Sequence, residues 1–281
     1  MESVESIRES FEKLGNAYLP ASGITTTHEA IAGVDCYWYG SPPKNGDPFL
    51  VYIHGGGFFL GSHRSHGAWT SRLAKKSGMP VLLIDYSLAP EHKYPVALNQ
   101  VLAVLKYLHT KYPGSKSGLV ADSAGGNIAL ASVVKLKEEK LEQPAFNILI
   151  SPWLDLECKN PSFEKNKAID KDLTKEGLQE CARKYVSGTP LADPLVSPLN
   201  ADLKGLKPFL VALGTDEILE DDSQILCRKL KEVGVPTTYV QFKDQGHSWS
   251  YYHADSESAQ RLFDAMSQFA QQQIGAVIPR P

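Results

Sequence analysis

Residues 119–126 read Leu-Val-Ala-Asp-Ser-Ala-Gly-Gly, an apolar segment that ends at a serine flanked by small residues. Residues 127–134 then read Asn-Ile-Ala-Leu-Ala-Ser-Val-Val, which is typical of a helix. A strand, a sharp turn that carries a serine and a helix together form the layout of a nucleophile elbow, whose strained turn needs small neighbours. The N-terminus of the helix supplies backbone N–H groups that suit a developing oxyanion.

This stretch departs from the usual Gly-x-Ser-x-Gly pattern at one position, where Ala121 replaces the first glycine. Its methyl group adds bulk at the most crowded part of the turn. Serines among small residues also occur in ordinary turns and helix caps. The stretch alone therefore does not identify a nucleophile, and the evidence has to come from the residues that accompany it.

The composition is that of an ordinary globular protein, with 281 residues of which 42% are hydrophobic and 22% charged. A net charge of −3 provides no basic surplus for binding nucleic acid. The four cysteines are widely spaced, without a zinc-ligand pattern, which favours reduced thiols. The N-terminal residues lack the apolar core of a secretion signal, and no apolar run approaches the roughly 18 residues of a membrane span. We expect a cytoplasmic protein with no metal site.

Short apolar strands alternate with helical segments along most of the chain. This alternation predicts an α/β fold in which helices cover both faces of a mostly parallel central sheet. We expect one domain over residues 1–281, with a small helical cap formed by about 1–25 and 157–200. An ordinary long connection is the alternative for residues 157–200. Strands are predicted at about 31–39, 49–53, 80–86, up to 122, 146–150, 207–213 and 237–242, and helices at about 3–14, 68–77, 96–108, 123–137, 174–186, 221–233 and 255–273.

Candidate functional residues follow five of these strands: His54, Ser123, Trp153, Asp216 and the segment after Phe242. In α/β sheets, ligands bind beyond the carboxyl ends of the strands, so these positions are expected to converge. Three glycines follow the first of them, at residues 55–57, and indicate a close approach of the main chain to another group. Their N–H groups suit an oxyanion loop, although a flexible turn is the alternative.

A catalytic serine needs a base, and the base needs an orienting carboxylate. Asp216 follows one later strand and His247 follows the last, which gives the order serine, aspartate, histidine expected of an α/β-hydrolase. Asp221 and Asp222 are alternative orienting groups, but negative charge is also favourable where a helix begins. Asp85 ends a strand as well, yet it precedes the serine.

Six motifs are similar to those of one known family. They are HGGG (54–57), YSLAPEHKYP (86–95), DSAGGN (122–127), SPWLDL (151–156), GTDEIL (214–219) and GHSW (246–249). With them, the chain resembles the hormone-sensitive-lipase-like carboxylesterases of the α/β-hydrolase superfamily over about residues 49–270. The resemblance implies the α/β-hydrolase fold, a serine esterase with a cap, and no metal or organic cofactor.

The resemblance also implies roles for individual residues. Ser123 would be the nucleophile, His247 the base and Asp216 the group that orients it. The oxyanion hole would consist of the backbone N–H groups of Gly56, Gly57 and Ala124. His54 would mainly hold the glycine loop in place.

From these residues we expect a carboxylesterase that hydrolyses small esters with short or medium acyl chains. A compact apolar pocket is expected from Phe58, Phe59, Trp153, Tyr185 and Trp249. A non-catalytic receptor for small molecules on the same fold is the main alternative, because fold alone does not establish catalysis. An amidase or peptidase would use the same three side chains. The resemblance also allows a homodimer formed through the last strand or helix.

Overall fold

One eight-stranded sheet forms the centre of the computed structural model, which describes residues 3–15 and 18–275. The spatial order of the strands is β1-β2-β4-β3-β5-β6-β7-β8. Strands β3 to β8 run parallel, and β1 and β2 pair antiparallel at one edge, which confirms a mostly parallel sheet. The strands are β1 (Thr26–Ile31), β2 (Val34–Tyr39), β3 (Phe49–Ile53), β4 (Val81–Asp85), β5 (Ser117–Asp122), β6 (Phe146–Ile150), β7 (Phe209–Gly214) and β8 (Thr237–Phe242).

Helices cover both faces of this sheet, because alternate residues of each central strand are apolar and point to opposite sides. Leu119 of β5 belongs to a core shared with α3, α4 and α7, whereas Val120 belongs to a core shared with α2 and α9. The helices are α1 (Val4–Gly15), α2 (His63–Ser77), α3 (Val96–Lys111), α4 (Ser123–Glu138), α5 (Ser162–Lys165), α6 (Lys175–Tyr185), α7 (Glu220–Glu232), α8 (Trp249–Tyr252) and α9 (Glu257–Ile274), with a 3₁₀ turn at Pro198–Asn200.

Most expected elements differ from the structure by one to three residues at an end, and two differ by more. The strand expected at 31–39 is a hairpin of β1 and β2, because Ala32 and Gly33 both have positive φ (51° and 79°) and reverse the chain. Helix α2 begins five residues earlier than expected, at His63. Ser62 caps this helix in a reciprocal capping box with Ser65, a start signal that hydrophobic periodicity does not reveal.

Two peripheral segments lie against the loop that follows β3. From α1, the Arg8 guanidinium donates to the carbonyl oxygen of Phe59 (Nε to O, 2.9 Å). From α6, the Tyr185 ring stacks on the Phe58 ring with 3.8 Å between centroids. Residues 1, 2, 16 and 17 of the expected cap lie outside the described residues. Across the part of the chain that the structure covers, no helix combines the length and apolarity needed to cross a membrane.

Candidate active site

The serine at the centre of the site lies in a strained turn between β5 and α4. Ser123 has φ of 49°, in the left-handed region, and its side chain is 7% exposed. Gly125 lets α4 approach β3 closely, since a Cβ atom there would collide with the carbonyl oxygens of Ile53 and His54. Ala121 is buried in β5 beside Ile53, and the turn forms with this alanine in place. The elbow geometry therefore does not require glycine at position 121.

A chain of two hydrogen bonds joins this serine to a histidine and a glutamate. The Nε2 atom of His247 lies 2.9 Å from the Oγ atom of Ser123, and the Nδ1 atom lies 2.8 Å from the Oε2 atom of Glu217. His247 is 5% exposed and Glu217 is fully buried. The prediction of Asp216 as the orienting carboxylate is therefore wrong in this geometry, because its neighbour makes that contact.

Glu217 is fixed in place by further donors on its second carboxylate oxygen. Its Oε1 atom accepts from the Ser151 hydroxyl (2.8 Å) and from the Gly214 backbone N–H (3.0 Å). Its neighbour Ile218 donates its N–H to Asp170 (2.7 Å to Oδ2). With the hydrogen bond from His247, the buried Glu217 carboxylate thus receives three hydrogen bonds, which hold its Oε2 atom toward the imidazole.

The electrostatic environment favours the protonated form of His247. Burial lowers the pKa of a histidine, but the hydrogen bond and negative charge of Glu217 outweigh it and raise the pKa of His247 above its ordinary value. Asp170 and Asp122 add to this effect. This imidazole is suited to take a proton from the serine and hold it.

The other carboxylates considered from the sequence point elsewhere. Asp216 is half-buried and accepts from the hydroxyl of its neighbour Thr215 (2.8 Å). Asp221 accepts from the backbone N–H of residue 162, and Asp222 from those of residues 154 and 155. Asp85 accepts from the ring of His63 (2.8 Å to Nδ1). In the described ranges, no group of three or more His, Cys, Asp or Glu side chains is arranged to hold a metal ion.

The glycine loop after β3 lies directly beside the serine. A Cβ atom built on Gly55 would lie 3.0 Å from the Cβ atom of Ser123. Gly56 has φ of 108°, a conformation that side chains disfavour. Among residues 3–15 and 18–275, no acceptor is bound to the N–H groups of Gly56 or Gly57. Ala124 lies in the first turn of α4, where backbone N–H groups have no partner within the helix.

Two polar side chains, the half-buried Asp122 and the buried His54, hold this loop against the elbow. Asp122 accepts on Oδ1 from the Gly55 N–H (2.8 Å) and from the Tyr52 hydroxyl (2.7 Å). His54 is fully buried, with its Nδ1 atom 2.7 Å from the Gly55 carbonyl oxygen and its ring stacked on Tyr86. His54 thus contacts the loop that the resemblance implied it would hold.

The five aromatic residues expected in the pocket are in different environments. Phe58, Trp153 and Tyr185 are buried against one another, with the ring centroids of Phe58 and Trp153 5.4 Å apart. Phe59 is half-buried under the ammonium of a lysine of α6. Trp249 packs on a residue of β8, on the opposite face of the sheet from Phe58, and also lines a cavity beside the histidine.

Comparison with known proteins agrees with this geometry. Residues 50–251 match the model of a family described by the alpha/beta hydrolase fold. The chain is 31% identical to an acetyl-hydrolase of Streptomyces hygroscopicus, covering 94% of this chain and 87% of that one. It is 35% identical to an esterase of Acinetobacter venetianus, covering 79% and 74%.

The solved structures that are similar to this chain include a crystal structure of an esterase from the bacterial hormone-sensitive lipase family. It superimposes with a TM-score of 0.93 at 32% identity, covering 98% of this chain and 93% of that one. The elbow, the buried histidine and the parallel sheet all agree with this likeness. The chain therefore belongs to the alpha/beta hydrolase fold family, among its hormone-sensitive-lipase-like carboxylic ester hydrolases.

Proposed function

We propose that this protein is a serine carboxylesterase that hydrolyses esters with short or medium acyl chains through an acyl-enzyme. The observation that carries the proposal is the pair of hydrogen bonds from Ser123 to His247 (2.9 Å) and from His247 to Glu217 (2.8 Å). A buried base bonded to both a hydroxyl and a carboxylate is the arrangement that makes serine nucleophilic at neutral pH.

In the first half of the proposed reaction, the Oγ atom of Ser123 attacks the ester carbonyl while the Nε2 atom of His247 takes the hydroxyl proton. Glu217 accepts a hydrogen bond from Nδ1–H, which fixes the tautomer and stabilises the imidazolium. The carbonyl oxygen becomes an oxyanion and accepts hydrogen bonds from the backbone N–H groups of Gly56, Gly57 and Ala124. The bond between the acyl carbon and the alcohol oxygen then breaks while His247 protonates that oxygen, so a neutral alcohol leaves and the acyl group remains on Ser123.

In the second half, water replaces the alcohol. His247 removes one proton from the water as its oxygen attacks the acyl carbon, and returns that proton to the Oγ atom of Ser123 when the carboxylic acid leaves. The two halves together convert one ester and one water into one acid and one alcohol. The enzyme ends in its starting protonation state.

A compact acyl site is proposed because aromatic packing restricts the space beside the glycine loop. Phe58 and Tyr185 are stacked with their planes 3° apart and are almost fully buried, so they leave no open channel between them. The name of the Streptomyces relative, an acetyl-hydrolase, points the same way. Such a site accommodates a short acyl chain more readily than a long one.

We also propose that about residues 1–25 and 157–200 form a cap over the site. Support comes from contacts of α1 and α6 with the loops after β3 and β4: Arg8 donates to the carbonyls of Phe59 and Ala89, and the Tyr185 carbonyl accepts from the Tyr94 N–H. All four cysteines are unpaired, which supports a reducing compartment such as the cytoplasm.

A fluorophosphonate probe tests the proposed nucleophile and separates an esterase from a non-catalytic receptor. Wild-type protein is expected to carry the probe on Ser123, and Ser123→Ala is expected to lose both the label and at least about 10⁴-fold in kcat toward p-nitrophenyl butyrate. Ser132→Ala is the matched control, because Ser132 lies on the same helix and only donates to the carbonyl oxygen of Ile128. Labelling at another residue, or unlabelled wild-type protein, would contradict the proposal.

A further inference from the structure

Three buried polar side chains from the proposed cap bond the main chain of the loop that carries Glu217. They belong to Ser162, Asn166 and Asp170, which are spaced four residues apart. The Asn166 N–H donates to the Ser162 carbonyl oxygen and the Asp170 N–H to that of Asn166, both at 2.9 Å. This helical spacing places all three side chains on one face of the segment.

Two of these side chains hold a single peptide unit, the one between Glu217 and Ile218. The Asn166 side-chain amide donates to the Glu217 carbonyl oxygen (2.9 Å from Nδ2), and the Asp170 carboxylate accepts from the Ile218 N–H (2.7 Å to Oδ2). In a trans peptide these two groups point in opposite directions, so this peptide plane is held from both sides. Ser162 holds the next peptide, since its hydroxyl donates to the Ile218 carbonyl oxygen (2.6 Å).

The two holding side chains are themselves fixed. The Oδ1 atom of Asp170 accepts from the backbone N–H groups of Asp172 (2.9 Å) and Leu173 (2.8 Å). The Asn166 amide also donates to the Oε2 atom of Glu220 (3.0 Å) at the start of α7. Hydrogen bonds to a charged group are strong, and a buried polar group that loses its partner is costly. The bonds to the Glu217–Ile218 peptide therefore resist displacement.

This peptide has a direct bearing on which acid meets the histidine. Asp216 and Glu217 are adjacent in a loop without ladder hydrogen bonds, so the main chain there depends on other partners for its orientation. The Glu217–Ile218 peptide fixes one side of the Glu217 Cα atom, and Ser151 and Gly214 hold the Oε1 atom at the far end of the side chain. With both ends held, the Oε2 atom faces the imidazole.

We propose that Asn166 and Asp170 are positioning residues of the triad: they orient the main chain of Glu217 so that this acid, and not Asp216, bonds His247. The inference rests on the proposed esterase function and deepens it. It gives the segment that carries the two residues a role in the chemistry besides covering the site. Both residues act through Glu217.

Substitutions of similar size test this role. In Asp170→Asn, the one remaining oxygen satisfies most donors by facing the two N–H groups that Oδ1 now holds, which turns the NH₂ group toward the Ile218 N–H. We expect kcat toward p-nitrophenyl butyrate to fall about tenfold to hundredfold, the cost of a displaced catalytic group. KM should stay within about twofold, because Glu217 assists both halves of the reaction. Asn166→Asp places an acceptor against the Glu217 carbonyl and should act in the same way.

A proton resonance separates positioning from a merely structural role, and it needs no substrate. The Nδ1 proton of His247 lies in a charge-assisted hydrogen bond to Glu217, which moves its resonance far downfield of ordinary amide protons. We expect Asp170→Asn to shift this resonance upfield or abolish it, as Glu217→Gln does. Asp193→Asn is the matched control, because Asp193 lies in the same segment and its Oδ1 atom accepts from the Leu195 N–H (2.8 Å). It should leave kcat and the resonance unchanged.

The readouts assign a failure to one of the two proposals. Wild-type kcat in Asp170→Asn and Asn166→Asp would overturn the inference and leave the esterase function intact. So would a raised KM alone, a lowered kcat with an unchanged resonance, or unfolding of both variants at the assay temperature, since the residues would then act on binding or folding. Wild-type protein that keeps the resonance but does not hydrolyse the ester would overturn the proposed function, and with it the catalytic meaning of the inference.

Discussion

The identity of the orienting carboxylate is open to a direct test by exchanging each of two adjacent acids for its amide. Glu217→Gln keeps the size of the buried side chain. Its remaining carbonyl oxygen can satisfy the donors from Ser151 and Gly214, which both bond Oε1. The amide nitrogen then faces the Nδ1 atom of His247, where Oε2 now lies at 2.8 Å.

The expected loss follows from the tautomer that this amide imposes. An NH₂ group facing Nδ1 requires Nδ1 to accept, which places the proton on Nε2 and prevents that atom from taking the Ser123 proton. The same reversal in a serine protease costs about 10⁴ in kcat, which corresponds to about 5.5 kcal/mol of transition-state stabilisation. Asp216→Asn should lower kcat less than about threefold, because Asp216 bonds Thr215 and not the imidazole.

The assay is steady-state hydrolysis of p-nitrophenyl butyrate by the two variants, each checked for folding by thermal denaturation. A Glu217→Gln enzyme that retains a tenth of the wild-type kcat would refute the assignment. An Asp216→Asn enzyme that loses as much as Glu217→Gln would do the same. Loss in Glu217→Gln alone is the result that the geometry predicts.

Three further predictions concern pH, substrate length and packing. The acid limb of kcat/KM should have an apparent pKa above 6.5, because Glu217 raises the pKa of His247 and only the neutral base is active. In Glu217→Gln, NMR titration should find the pKa of His247 below 6.5, since the effect of burial then dominates. A series of p-nitrophenyl esters should peak at short or medium acyl chains, and a maximum beyond about ten carbons would contradict the compact site. Gly125→Ala should lower the free energy of unfolding, measured in urea, by about 2 kcal/mol or more, because the added Cβ atom meets the Ile53 carbonyl. Ala121→Gly should lower the free energy of unfolding by about 1 kcal/mol and leave kcat within about twofold of wild type.

Sequence reasoning located the elbow and the histidine because both depend on local pattern. An apolar strand before Ser123 and a helix after it are visible in the residues themselves. His247 follows the last strand, and carboxyl ends of parallel strands meet at one edge of the sheet. Chain order and strand periodicity therefore place these two side chains at the same edge of the sheet, and the family resemblance supplies their pairing.

Glu217 could not be separated from Asp216 by the same reasoning. Both acids follow β7, and a shift of one residue in an irregular loop decides which of them faces the interior. One available signal was the apolar pair that follows Glu217 directly, since Ile218 and Leu219 are both buried. The triad acid of this fold is also either Asp or Glu, so residue type did not exclude Glu217.

The sequence could not show which of the five aromatic residues pack together, because residue type indicates burial but not the partner. Phe58 and Tyr185 come from distant parts of the chain and stack on each other, which only tertiary structure reveals. Ala121 shows the reverse case, in which a departure from a motif has no visible effect. The buried strand accommodates its methyl group, and the turn at Ser123 still adopts a φ of 49°.

The most direct test of the account is to trap the acyl-enzyme. Wild-type protein is mixed with p-nitrophenyl butyrate, quenched in acid within its first turnovers and digested. We expect a butyryl group on the peptide that contains Ser123. Ser132→Ala should give the same butyrylated peptide, and Ser123→Ala should give none. Release of p-nitrophenol without a butyrylated peptide, or a butyryl group on another residue, would contradict the central claim that Ser123 is the nucleophile.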